Sequence, residues 1–202
     1  MLKRLKLILS PVLLIAAISC GGAPVTPGSG DGSTQAECKF VDTTTLKQSV
    51  DLAVPYTEQE PNFCGPASME MVLRYYGKNV DQTTIGSDIV GSKGVGSEQL
   101  SQKAIDMGFS VVDESCGINN LLGSLDAGDP VIVRVLNNSG DNGHFMVVVG
   151  YDQKTKKVYL NDPANPDNTE MLFDDFERIW NITTLGPTNN SSYFMMVITP
   201  QA

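Results

Sequence analysis

Along the chain, apolar and polar positions change their rhythm about two thirds of the way in. In "PNFCGPASMEMVLRYYG" (61–77) only Ser68, Glu70 and Arg74 interrupt a run of Ala67, Met69, Met71, Val72, Leu73, Tyr75 and Tyr76. That density predicts a helix over 64–76, with Pro66 in its tolerant first turn and Gly77 as its stop. A helix apolar nearly all round is a central, buried one. Glu70 and Arg74, at i and i+4, are expected to pair on one exposed strip. Segments 81–90 and 97–107 read as two further helices, the second capped by Ser97, and 118–127 as a fourth ended by Gly128. A first strand is expected near 49–55. After Gly128 the pattern turns β-branched and aromatic: "PVIVRVL" (130–136), "HFMVVVGYD" (144–152), "KKVYLND" (156–162) and "SYFMMVIT" (192–199). A short helix, "DDFERIW" (174–180), precedes the last of them. Helices first and an antiparallel sheet second is an α+β order, not alternating βαβ units. No internal repeat is visible.

The first twenty residues stand apart from this body. Lys3, Arg4 and Lys6 form a basic start, an apolar stretch runs from Leu7 to Ile18, and Ala17-Ile18-Ser19-Cys20 follows. This resembles a bacterial lipoprotein signal (1–19) cleaved before a lipid-modified Cys20; an ordinary secretory signal cleaved nearby is the alternative. The apolar run is short of the ~20 residues that span a bilayer, so the expected mature chain is anchored to a membrane and not inserted in it. "GGAPVTPGSGDGSTQA" (21–36) is too poor in bulky apolar side chains to order itself and reads as a linker. Residues 37–202 remain for one domain with a single core.

Charge narrows the partners. The 14 basic and 23 acidic residues give −9, and loss of the three basic residues of 1–19 gives 11 − 23 = −12. An acidic body offers no footprint for nucleic acid and no polybasic patch for anionic lipid. With Cys20 assigned to lipid, Cys38, Cys64 and Cys116 are left. A Cys38–Cys116 disulfide with Cys64 free is the economical arrangement; three reduced, buried thiols is the other.

The chemistry-bearing residues are few. His144 is the only histidine, at the mouth of the strand 144–152. Eighteen residues on, after one hairpin, comes Asn161-Asp162-Pro163. A hairpin of that length returns the chain beside its start, which sets the Asp162 carboxylate next to the imidazole. Such a carboxylate fixes the ring's tautomer and stabilises the imidazolium. The plainer reading of Asn-Asp-Pro is a turn. Cys64 begins the buried helix, where unpaired N–H groups and a nearby imidazolium favour the thiolate.

"VPYTEQEPNFCGPASMEMVLRYYG", "GHFMVVVGYD" and "NDPA" together resemble the papain-clan peptidases related to the bacteriocin leader-processing peptidases, family thirty-nine of the cysteine peptidases. The resemblance covers about residues 54–163 and implies a papain-like fold, with the nucleophile helix packed on the C-terminal sheet. It implies Cys64 as nucleophile, His144 as general base and acid, Asp162 as its orienter, and Gln59 with the Cys64 N–H as donors to an oxyanion. In papain-like enzymes that glutamine commonly lies six residues before the cysteine, whereas Gln59 lies five before; Asn62, two before, is expected to shape the turn. Acyl transfer on a peptide or protein substrate follows, with no metal or cofactor, outside the inner membrane. The reading from another class is a silent binding lipoprotein that keeps the fold as a recognition surface. "GSKGVG" (91–96) lacks the Lys-Ser/Thr pair of a phosphate loop and reads as a flexible connection between helices. The sequons at Asn137, Asn181, Asn189 and Asn190 carry no expectation of glycosylation in a bacterial lipoprotein.

Overall fold

The computed structural model describes residues 38–136, 143–167, 169–181 and 193–201. The expected signal (1–19), the lipidated Cys20 and the linker to residue 36 lie outside the described residues, as do Asn137, Asn189 and Asn190. The elements are β1 (Ser49–Asp51), α1 (Cys64–Tyr75), α2 (Gln82–Gly86), α3 (Ser97–Asp106), β2 (Phe109–Ser115), α4 (Ile118–Ala127), β3 (Val131–Leu136), β4 (Gly143–Asp152), β5 (Lys157–Asn161), β6 (Glu170–Leu172), α5 (Phe173–Trp180) and β7 (Phe194–Pro200).

All the strands join one antiparallel sheet, in the order β2-β7-β3-β4-β5-β6, and β1 pairs with the end of β4 beyond its β3 contact. The sheet is covered on both faces. Ile132, Phe145, Val147, Phe194, Met196 and Ile198 pack with Met69, Val72 and Leu73 of α1 and Leu100 and Ala104 of α3. On the other side Val131, Val133, Met146, Val148 and Leu160 pack with Leu121 and Leu125 of α4 and Phe176 and Trp180 of α5. This explains why β4 reads as a continuous apolar run: a strand with helices on both faces has no solvent side to alternate toward.

The α+β expectation holds, with corrections of detail. Two strands went unread. β2 carries Ser110, Asp113 and Glu114 and sits between helices in sequence, but it is the partner of β7, the last strand in the chain. β6 is three residues long. β1 stops at Asp51, because Pro55 and the segment after it leave the sheet. α2 covers 82–86 only, opened by Asp81, whose carboxylate accepts from the Thr84 N–H at 2.7 Å. Ser97 is the first residue of α3 and does not cap it; the Gln99 side chain reaches back to the Gly96 N–H instead, at 3.1 Å.

α1 is the buried helix expected, with residues 65 to 73 out of solvent. Gly77 follows it at φ +80°, a left-handed stop that a residue with a Cβ takes only under strain. The Glu70–Arg74 pair forms at 3.4 Å, but it is not an exposed strip. Glu70 is 8% exposed, because its second oxygen accepts the Gln82 N–H at 2.7 Å and α2 closes over it. Cys38 and Cys116 form a disulfide, leaving Cys64 as the free cysteine among the described residues.

Candidate active site

Cys64 is the first residue of α1, preceded by Phe63, which offers no side-chain cap. The first N–H groups of a helix lack intrahelical partners, and a cap side chain here would compete for them. Instead the Gly65 N–H, together with the Phe145 N–H from β4, favours the charged form of the Cys64 sulfur. Pro66 has no N–H to satisfy and presets the helical φ. Gly65 is needed for approach: a Cβ there would lie 2.5 Å from Val95 Cγ1 and 3.4 Å from the Phe145 ring. The glycine thus lets α1 come close to β4 and to the loop before α3.

β4 supplies His144 next to its opening glycine, and the chain leaving β5 supplies Asp162. Nε2 of His144 lies 2.7 Å from Oδ1 of Asp162, and the two side chains are 15% and 10% exposed, so little water competes for the contact. The carboxylate is itself oriented by the Ala164 N–H, which donates to Oδ1 at 3.0 Å. His144 and Cys64 face the same cleft and act on each other's protonation. With Nε2 taken by Asp162, Nδ1 is the nitrogen left for the sulfur.

The protonation preferences of the pair move in opposite directions. Burial pushes the Cys64 thiol up, but the hydrogen bond to His144, the Phe145 N–H, the imidazolium charge and the Gly65 N–H outweigh it, and the thiol sits below its usual range. Burial pulls His144 down, but the bonds to Asp162 and Cys64 and the charges of both win, and it is pushed up to about 9. Both shifts push the pair toward a thiolate beside an imidazolium.

Around the sulfur is a cleft of about 280 Å³ lined by Gln59, Asn62, Cys64, Ser92, Lys93, Gly94, Gly143 and His144. Gln59 is therefore brought to the cleft despite its altered spacing from the cysteine. Asn62 shapes the turn, as expected, and does so in the left-handed region at φ +68°; this reversal leads the chain from the Gln59 segment into α1. Sequence reasoning missed the third wall, residues 92–94. "GSKGVG" reads in sequence as a flexible connection; in the structure its Gly91 and Gly94 form an isolated antiparallel bridge, and a Cβ on Gly94 would sit 3.5 Å from the Asn62 carbonyl. No local signal marks such a loop as part of a cleft, since its position follows from the packing of α3 on α1.

The sequence pattern of the Peptidase C39 like family matches residues 51–185, which contains all four candidate residues. Among solved structures, a C39-like peptidase from Bacillus anthracis is 22% identical, with a TM-score of 0.61 over 77% of this chain and 100% of that one. A double-glycine motif protease from an AMS/PCAT transporter, in complex with the leader peptide, is 24% identical, with a TM-score of 0.57 over 75% of this chain and 95% of that one. The peptidase domain of Streptococcus ComA, a bifunctional ABC transporter of a quorum-sensing pathway, is 19% identical, with a TM-score of 0.55 over 72% and 97%. At these identities the likeness establishes the fold, papain-like with helices packed on an antiparallel sheet. No curated protein matches the chain.

Proposed function

Because the chain belongs to the Peptidase C39 like family, we propose that it is a cysteine peptidase, or a close amide-bond hydrolase, working by thiolate acyl transfer. The observation that carries this is the Cys64 thiol at the tip of α1, sharing one cleft with a His144 whose Nε2 is held 2.7 Å from the buried Asp162. The Cys64 thiolate adds to an amide carbonyl carbon, and the negative charge moves to the carbonyl oxygen. Gln59 and the Cys64 N–H stabilise that oxyanion. The His144 imidazolium gives its proton to the departing amine, leaving a thioester on Cys64. His144 then takes a proton from water as the oxygen adds to the thioester. Collapse releases the carboxylic acid and restores thiolate and imidazolium, while Asp162 keeps the ring in one tautomer throughout.

A peptide or protein substrate is the natural reading, supported by the leader peptide held in the double-glycine relative. That protein's cleavage preference is not carried over. The proposal extends to export and anchoring through Cys20. The basic and apolar residues before it support this, as does the Cys38–Cys116 disulfide, a bond that persists in oxidising compartments. Incorporation of labelled palmitate, lost in Cys20→Ala, tests the anchor.

Iodoacetamide labelling of the purified chain across pH, with the modified cysteine mapped by mass spectrometry, tests the activated pair. Cys64 is expected to react with an apparent pKa below the ordinary thiol value of about 8.5, and His144→Ala to move that reaction upward. A Cys64 that titrates near 8.5 with or without His144 leaves no activated thiolate and favours the silent binding protein.

A further inference from the structure

We infer that Gln82 is a positioning residue for the oxyanion donor, holding the backbone on both sides of Gln59. The inference rests on the role proposed for Gln59. That residue lies in neither helix nor strand, so nothing in regular structure fixes its backbone. Its own N–H donates to the Pro163 carbonyl at 2.9 Å, which ties it to the chain just after Asp162. Its neighbours are held by a single amide: Gln82 Nε2 donates to the Glu58 carbonyl at 2.8 Å, and Gln82 Oε1 accepts the Glu60 N–H at 2.8 Å. A primary amide that takes the carbonyl of residue i−1 and the N–H of residue i+1 does what a neighbouring β-strand would do, and fixes the dihedrals of the residue between.

The amide is itself anchored. Gln82 is 8% exposed and begins α2, where its backbone N–H donates to Glu70 Oε2 at 2.7 Å. Glu70 is on α1, the helix that carries Cys64, and its other oxygen accepts from Thr57 Oγ1 at 3.2 Å and from Arg74. The nucleophile's helix and the donor's segment are thus joined through Glu70 and Gln82. An oxyanion donor works by being in place before the charge forms, so a flexible Gln59 on an irregular segment requires such a frame. The Gln59 Oε1 is buried with no hydrogen-bond partner among the described residues, so no bond at that atom holds the side chain and its placement leans on the backbone frame. Other side chains cannot replace Gln82: Asn is one methylene short, and Glu would aim an acceptor at the Glu58 carbonyl.

Two reactions at the same sulfur separate positioning from mere support. Acylation by p-nitrophenyl acetate passes through a tetrahedral oxyanion, whereas alkylation by iodoacetamide displaces iodide and forms none. Both rates are measured at pH 7 on the purified full-length chain and its variants. Gln82→Ala is expected to slow acylation between about 10- and 100-fold and to leave alkylation unchanged. In a Gln59→Ala background, the same change is expected to cost nothing more, since the two residues act through one interaction. Gln82→Met, equal in length and without polar groups, is the second variant should the alanine form fail to fold. Its ratio of acylation to alkylation, read on the soluble protein, carries the same expectation. Equal slowing of both reactions, or losses that multiply with those of Gln59→Ala, would show that Gln82 only supports the fold. Full acylation in Gln59→Ala would overturn the role of Gln59, and this inference with it. A wild-type chain that acylates no faster than free cysteine would instead sink the proposed function.

Discussion

Cys64 and His144 change each other's protonation, and a pH profile reads this most directly. Cys64 is held below its usual range, and His144 is pushed up to about 9. The ion pair is therefore present between these two limits, and the limits belong to the pair as a unit. Alkylation needs only the thiolate: its rate is expected to rise through the lowered Cys64 value and not to fall above pH 9. Amide cleavage also needs the imidazolium proton, so it is expected to rise along the same limb and then decline as His144 deprotonates through about 9. A hydrolysis profile without that alkaline limb, measured beside the alkylation profile, would remove His144 as the acid.

Asp162 has its own expectation at this scale. Replacing it with Ala removes the acceptor 2.7 Å from Nε2, freeing the ring to turn and to take the wrong tautomer. By analogy with triads of this kind, hydrolysis should fall by about 10³- to 10⁴-fold. Alkylation should shift toward higher pH, since the imidazolium loses its counter-charge. Much of this trio was legible: one histidine, a hairpin-length gap to Asp162, and a cysteine opening an apolar helix. The residues that frame Gln59 were not. Gln82 looks like any polar residue near a helix start, and Glu70 reads as half of a surface pair. Their roles depend on α2 folding over α1, a contact that no spacing rule expresses.

Among the elements, β1 is short but links the sheet to the cleft. It lies along the far end of β4, and the chain after it is tied down by the Leu52 N–H on the Val149 carbonyl, by Asn161 Nδ2 on the Val54 carbonyl, and then at Gln59 itself. Gly150 allows this approach. A Cβ there would stand 2.2 Å from the Val50 carbonyl oxygen and 3.0 Å from the Asp51 Cα, both backbone atoms that cannot swing aside. Gly150→Ala is expected to cost about 1–3 kcal/mol, the range for overpacking. The thermal midpoint should fall by several degrees in a melt. Alkylation of Cys64 should persist, because His144 lies at the other end of β4; acylation should suffer, because β1 leads to Gln59. The strand pattern was readable wherever helices cover both faces, as along β4. It failed for β2, where a half-exposed strand with charged positions pairs with residues 79 to 91 places later.

For the molecule as a whole, the disulfide is the covalent cross-link among the described residues. Cys38 stands at the entry to the domain and Cys116 between β2 and α4, 78 residues apart. Closing a loop of that length in the unfolded chain stabilises the folded one by about 4.5 kcal/mol on the entropic account. Cys38→Ser is therefore expected to lower the denaturant midpoint clearly while leaving the Cys64 alkylation profile in place, since neither cysteine of the bridge lines the cleft. The same bond reports on compartment. In chain made through an oxidising route, thiol titration of the denatured protein should find Cys38 and Cys116 blocked and Cys64 free. In chain kept in a reducing cytosol, where Cys20 carries no lipid, all four cysteines should react, and the protein should unfold at lower denaturant. If the exported and the reduced forms prove equally stable, the bridge adds nothing to the fold. The constraint that the sequence left open between a disulfide and three thiols would then have no thermodynamic role.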